Sequence, residues 1–161
     1  MELTFDKEQD QNDEDYLTKL FLELKVWIDS WHKPFGALIT FDQNIISIGL
    51  NSSKFENDPT CHAEIQAIRL ACKELQTRVL TGCTLYTSCE PCLMCLGAIY
   101  WAKISRVVYC MTVQEIHNCG FPQFVSNIWE FYSTNWISIE SHKWPISAKI
   151  KDLILGCNPI K

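Results

Sequence analysis

Two short runs in this chain could do chemistry: His62-Ala63-Glu64, and Pro91-Cys92-Leu93-Met94-Cys95. Cysteines three apart on a helix lie on one side, a turn from each other, so both sulfurs can reach one ion. A helix N-terminus favours their thiolates, and a metal favours them more. His62 would add a nitrogen from a second element, and zinc takes such sulfur and nitrogen donors at a tetrahedral centre. Three protein ligands leave a fourth position for water, which marks a catalytic site, and water held there loses a proton near neutral pH. Glu64 lies two residues from His62, a spacing that separates side chains on a regular helix. In a first turn, however, both can converge on a site near the helix axis. His62 would then bind metal, and Glu64 would take a proton from the water and pass it on to a reacting group.

The elements that must position these residues follow from pattern. Tyr16, Leu17, Leu20, Phe21, Leu24, Trp27, Ile28 and Trp31 recur at helical spacing up to Pro34. Short strands are expected at Ala37–Phe41 and Ile45–Ile48, joined by the turn signal Asp42-Gln43-Asn44. A polar loop, 51–58, precedes a helix starting near Thr60–His62, with Ile65, Ile68, Ala71, Cys72 and Leu75 on one side. Cys83–Thr87 reads as a strand. Pro91 suits the first turn of the next helix, which runs through Trp101 and is apolar nearly all round, predicting burial. Ile104–Cys110 reads as another strand. A strand near Trp136–Ile139 and a helix over Ile146–Leu155 are expected beyond Gly120. Strands alternating with helices indicate an α/β layer architecture.

Composition narrows the partners. The 161 residues suit one domain, and 47% hydrophobic with 20% charged is an ordinary globular balance. No long apolar run suggests a membrane span, and Met1–Asp6 does not read as a secretory signal, so a cytoplasmic protein is expected. Nine cysteines, an odd number without an export signal, argue against a disulfide framework. Residues 1–15 carry Asp6, Glu8, Asp10, Asp13, Glu14 and Asp15, which read as a disordered, solvated acidic tail. A net charge of −5 disfavours nucleic acid and favours a small uncharged substrate.

The paired motifs, histidine-x-glutamate then proline-cysteine-x-x-cysteine, are the signature of zinc deaminases. Residues 34–109 resemble the cytidine deaminase-like superfamily, and within it the bacterial guanine deaminases. The resemblance rests on Pro34-Phe35-Gly36-Ala37, Asn57-Asp58-Pro59-Thr60, His62-Ala63-Glu64, Leu85-Tyr86-Thr87-Ser88-Cys89-Glu90-Pro91-Cys92 and residues 94–102. It implies a three-layer α/β/α sandwich with a central mixed sheet of about five strands. It implies Zn2+ held by His62, Cys92 and Cys95, with Glu64 as proton shuttle. It implies a purine-type small-molecule substrate, guanine going to xanthine and ammonia, contacted by Asn51, Trp101, Phe35 and Ala63. It also implies a homodimer with a swapped C-terminal segment.

The resemblance thins after Tyr109. Where guanine deaminases carry acidic residues after a glycine-phenylalanine pair, this chain reads Pro122-Gln123-Phe124, offering an amide for a carboxylate, with Glu115 as a nearby carboxylate. The chain also ends Asn158-Pro159-Ile160-Lys161, without the family's terminal aromatic residue. Two other readings follow from the same metal site. One is a tRNA adenosine deaminase, which would need a basic surface and a pocket for a flipped base. The other is an inactive zinc-stabilised binding protein, in which Cys61 or Cys89 could close the coordination sphere.

Overall fold

The computed structural model describes residues 7–28, 33–121, 137–141 and 145–157. Its elements, in chain order, are α1 (Lys7–Ile28), β1 (Gly36–Phe41), β2 (Asn44–Leu50), α2 (Ala63–Glu74), β3 (Thr84–Cys89), α3 (Leu93–Trp101), β4 (Arg106–Met111), α4 (Val113–Asn118), β5 (Ser138–Ser141) and α5 (Pro145–Gly156). The strands form one sheet in the order β2-β1-β3-β4-β5. β1 runs antiparallel to β2 and β3, whereas β3, β4 and β5 are mutually parallel. This is the expected mixed sheet.

Alternation along the strands splits the core into two layers. Leu85 and Val107 face α2 and α3, where they pack with Ala67, Ala71, Leu96 and Ile99. Their neighbours Tyr86 and Val108 face α1 and α5, where they meet Leu17, Leu20, Leu24, Ile150 and Ile154. Helices thus cover both faces, as the buried, β-branched interior strands require. β1 and β2 join through a two-residue turn in which Asp42 and Gln43 both take positive φ, 47° and 61°. Such turns match the right-handed twist of the strands, and Asn44 Nδ2 donates to Asp42 O at 2.8 Å.

One close approach fixes where α2 sits. A Cβ at Gly49 of β2 would lie 2.3 Å from Ala63 O and 2.3 Å from Ala67 N. Only glycine lets the α2 backbone rest directly on β2, and Ser47 Oγ ties the two by donating to Ala67 O at 2.8 Å.

Three sequence expectations are corrected. The acidic stretch Lys7–Asp15 is not a disordered tail: it is the first part of α1. Asp13 has no exposed surface; its carboxylate takes a two-pronged bond from Arg106 (Nη1 at 2.9 Å, Nη2 at 2.6 Å) and the Tyr86 hydroxyl at 2.5 Å. A charge run reads as solvated only when no partner waits inside the fold, and here Arg106 does. Second, α3 is not buried all round. Leu93 and Met94 reach the surface, and Trp101 is 73% exposed. Third, α4 went unforeseen, although Thr112 and Glu115 form a capping box at its start. Residues 1–6, Trp31, His32, Gln123, Trp136, His142 and the C-terminal 158–161 lie outside the described residues.

Candidate active site

Three chain ends converge beside the sheet. β1 starts at Gly36 opposite Leu50, the last residue of β2, and Asn51 N donates to Phe35 O at 2.9 Å. β3 runs antiparallel to β1 with Thr87 opposite Ala37, so its C-terminal Cys89 lies near Phe35. α3 then carries the chain from β3 to the parallel β4. Ligands of open α/β sheets bind outside the carboxyl ends of such strands.

Both helices that cover this face aim their N-termini at the site. His62 is the N-cap residue of α2 and Cys92 that of α3, and neither side chain makes a capping hydrogen bond. Each is in an extended conformation, with φ −69° and ψ 156° for His62 and φ −71° and ψ 169° for Cys92. The side chains are therefore free to turn toward each other. Pro91 lies just before this cap and not in the first turn as the sequence suggested.

His62 Nδ1, Cys92 Sγ and Cys95 Sγ stand at the corners of a triangle with all three edges 3.7 Å. Zinc bonds of about 2.3 Å to sulfur and 2.0–2.1 Å to nitrogen at a tetrahedral angle give edges of roughly 3.8 Å between sulfurs and 3.6 Å between sulfur and nitrogen. The donor set and its spacing fit zinc. Among the described residues no fourth histidine, cysteine or carboxylate joins this group. Cys61 is occupied elsewhere, its thiol donating to Asp58 Oδ2 at 3.3 Å, and Cys89 donates to the Glu90 carbonyl at 3.6 Å. The closed four-ligand site weighed from the sequence does not form.

The local field prepares the ligands. In the metal-free protein Cys92 falls to about 4, because the Cys95 thiol donates to it and His62 stands beside it, outweighing desolvation. Cys95 keeps the proton it shares with Cys92, and its own burial pushes it up further. His62 is raised chiefly by its hydrogen bond with Cys92. A metal would replace these protons.

Glu64 is 5% exposed, and burial raises its carboxyl above the usual carboxylate range. Hydrogen bonds from its own backbone and from Thr87 oppose that rise; Thr87 Oγ1 donates to Oε1 at 2.9 Å. The other oxygen, Oε2, faces the ligand cluster, 3.4 Å from Cys95 Sγ. One oxygen is thus held and the other is presented to the place where a reacting molecule would lie.

A small pocket of about 70 Å³ opens here, lined by Lys33, Phe35, Asn51, His62, Glu64, Cys89, Glu90 and Cys92. Of the residues singled out from the sequence, His62, Glu64, Cys92, Asn51 and Phe35 line it, and Cys95 completes the ligand triangle behind it. Two do not reach it within this chain. Ala63 is buried in the α2 core, and Trp101 projects from the far end of α3, edge-on to Tyr100. Asn51 is oriented by its loop: Oδ1 accepts from Ser53 N at 3.2 Å and Ser53 Oγ at 2.8 Å, leaving Nδ2 as the donor. Phe35 makes an apolar wall backed edge-on by Phe121, 5.2 Å away.

Glu90 was missed in the sequence. Its Oε2 accepts from Val113 N at 2.9 Å, and Oε1 has no partner among the described residues. It sits directly before Pro91-Cys92, where its position could have flagged it. Glu115, weighed as a substitute carboxylate, is engaged by Thr112 and by Lys151 at 2.9 Å and does not line the pocket.

Comparison with known proteins agrees with this geometry. The family model described as "Cytidine and deoxycytidylate deaminase zinc-binding region" matches residues 10–111. Guanine deaminase of Bacillus subtilis (strain 168) is 53% identical over 88 residues, 55% of this chain and 56% of that one, so the match spans little more than half of that relative. A tRNA-specific adenosine deaminase of Buchnera aphidicola (subsp. Schizaphis graminum) is 32% identical over 132 residues, 81% of this chain and 85% of that one. The X-ray structure of the Bacillus subtilis guanine deaminase superposes with a TM-score of 0.64 at 35% identity, covering 75% of this chain and 92% of that chain.

Proposed function

We infer the reaction from the premise that this chain belongs to the cytidine and deoxycytidylate deaminase zinc-binding family. It is a zinc-type deaminase, and we propose that its substrate is a purine base, guanine, which water converts to xanthine and ammonia. The observation that carries the reading is the pairing of Glu64 with the ligand triangle: a buried carboxylate with one oxygen fixed by Thr87 and the other turned to the site. A purely structural zinc site has no use for such a group.

His62, Cys92 and Cys95 would hold the zinc. When bound, it supplies Lewis acidity and makes water a nucleophile near neutral pH. The chain does the rest. Glu64 accepts the proton that water loses on attack at the amino-bearing carbon. It passes that proton to the ring nitrogen. It then takes the second proton from the hydroxyl now on carbon and delivers it to the amine as the C–N bond breaks and ammonia leaves. Its raised carboxyl suits a group that must hold a proton between steps. Asn51 Nδ2 donates to an acceptor on the ring, and Phe35 supports the ring face. Glu90 Oε1, which has no partner among the described residues, supports guanine, whose edge carries N–H donors that need an acceptor.

The coverage of the tRNA-specific relative supports a second reading, adenosine in RNA. A homodimer is a further part of the proposal; the apolar outer face of α3, with Leu93, Met94 and Trp101 exposed, supports it. Among the described residues no helix is long and apolar enough to cross a membrane. The test is ammonia release from guanine, adenine, cytosine, their nucleosides and a tRNA anticodon stem-loop. Guanine turnover at the highest kcat/KM supports the proposal. Turnover of the stem-loop alone moves the function to the second reading.

A further inference from the structure

We propose that an anion-binding subsite adjoins the catalytic pocket and takes a phosphate ester carried by the purine. The inference rests on the deaminase reading of the neighbouring site and extends it from free guanine to purines that also carry a phosphate. A second cleft, about 500 Å³, is lined by Lys33, Ser53, Lys54, Asn57, Pro59 and His62. It shares Lys33 and His62 with the catalytic pocket, so the two adjoin.

The lining is one-sided in charge. Among the described residues it holds two ammonium groups, an imidazole, an amide and a hydroxyl, and no carboxylate. The acidic residues of the same loop are already engaged. Glu56 accepts from Ser52 and from Gln66 Nε2, and Asp58 Oδ1 accepts from Thr60 N at 2.8 Å and Thr60 Oγ1 at 2.7 Å. Those bonds hold Asp58 below the usual carboxylate range, so it remains a satisfied anion and not a competitor for the lysines. Lys33 and Lys54 are exposed and form no ion pair with another described residue.

The loop's shape keeps Lys54 at the mouth. Glu56 N donates to Ser52 O, Asp58 N donates to Ser53 O, and Asn57 takes φ 51° between them. A free base is held by the catalytic pocket alone, and the cations beside it serve a purine that also carries an anion. In a chain with net charge −5, two lysines concentrated at one mouth, with no ion pair among the described residues, make a local attractive field for an anion against a repulsive whole. The chemistry shared by a 5′-mononucleotide and an RNA backbone is the phosphate ester, and these are the two sources to separate.

The experiment is isothermal titration of zinc-loaded Glu64→Gln protein, in which ligands bind without turnover. Ligands are guanosine, guanosine 5′-monophosphate, adenosine, adenosine 5′-monophosphate and a tRNA anticodon stem-loop, each at two salt concentrations. Charged hydrogen bonds predict a Kd for a monophosphate roughly tenfold or more below that of its nucleoside, weakening with salt. Lys54→Glu and Lys33→Ala should each erase most of that ratio. A mononucleotide preference that depends on the lysines assigns the subsite to nucleotides, whereas lysine-dependent preference for the stem-loop alone assigns it to an RNA phosphate. Equal binding of nucleoside and nucleotide with no lysine-dependent stem-loop binding overturns the proposal, as does a phosphate preference that survives both substitutions. Because binding is read without turnover, a protein inactive on every base would sink the reaction assigned above and still decide this one.

Discussion

Gly49→Ala tests whether the metal triangle is set by backbone packing two elements away. The added methyl would stand 2.3 Å from Ala63 O and from Ala67 N, and 2.9 Å from Ala67 Cα. Ordinary carbon–oxygen contacts begin at about 3.3 Å, so α2 and β2 must part by about 1 Å. The clashing atoms are backbone, and no rotamer change relieves them. α2 starts at Ala63, so the displacement carries His62 and Glu64 relative to Cys92 and Cys95, which α3 holds separately. Metal sites tolerate about 0.2 Å in ligand distance, and a shift several times larger should cost zinc affinity about 10–100-fold. Overpacking should also cost the metal-free fold about 1–3 kcal/mol. Competition with a chromophoric chelator reads the first, and urea unfolding of the metal-free protein reads the second. Zinc affinity within twofold of wild type, with an unchanged urea midpoint, would refute the claim that Gly49 positions the site.

Asp13→Ala removes a fully buried carboxylate and strands the proton of the Tyr86 hydroxyl and part of Arg106, which keeps Glu140 at 2.8 Å. Breaking a buried pair costs about 3–5 kcal/mol, and the surviving Glu140 contact places this case at the lower end; a loss below about 1 kcal/mol in urea unfolding would show that α1 docks without it. Thr87→Val should leave zinc content unchanged while lowering kcat, since Glu64 Oε1 loses its hydroxyl donor. A change confined to KM would argue against the positioning role. Glu115 is held below the usual carboxylate range by Thr112 N and by Lys151. A depressed carboxylate contributes stability above its unfolded value of about 4.3, and that contribution is lost as pH falls through the folded value. Glu115→Gln should therefore lower the melting temperature near neutral pH and converge with wild type at acid pH; curves that stay parallel throughout would contradict this.

Much of the site was legible because its determinants are local. Histidine-x-glutamate and cysteine-x-x-cysteine need only the first turns of two helices, and the apolar spacing of Ile68, Ala71 and Leu96 announces those helices. The β1–β2 hairpin was equally visible, because Asp42-Gln43-Asn44 has a turn chemistry of its own. What escaped depends on distant partners. Asp13 looks solvated until Arg106, 93 residues later, is brought beneath it. Trp101 looks like a pocket or core residue until the register of α3 turns it outward. Lys33 and Lys54 are ordinary surface lysines in sequence, and only the fold brings them to one cleft beside His62.

The central claim is that the Glu64 carboxylate moves protons at a centre assembled by His62, Cys92 and Cys95. It is tested most directly by measuring zinc stoichiometry and ammonia release from guanine together, in wild type and in Glu64→Gln. The substitution keeps the shape and removes the base, and general acid–base groups contribute about 10²–10⁴ in rate. The expected result is one zinc per chain in both proteins and a fall in kcat of about 100-fold or more in the variant. Equal turnover by the two proteins at equal zinc content would contradict the account.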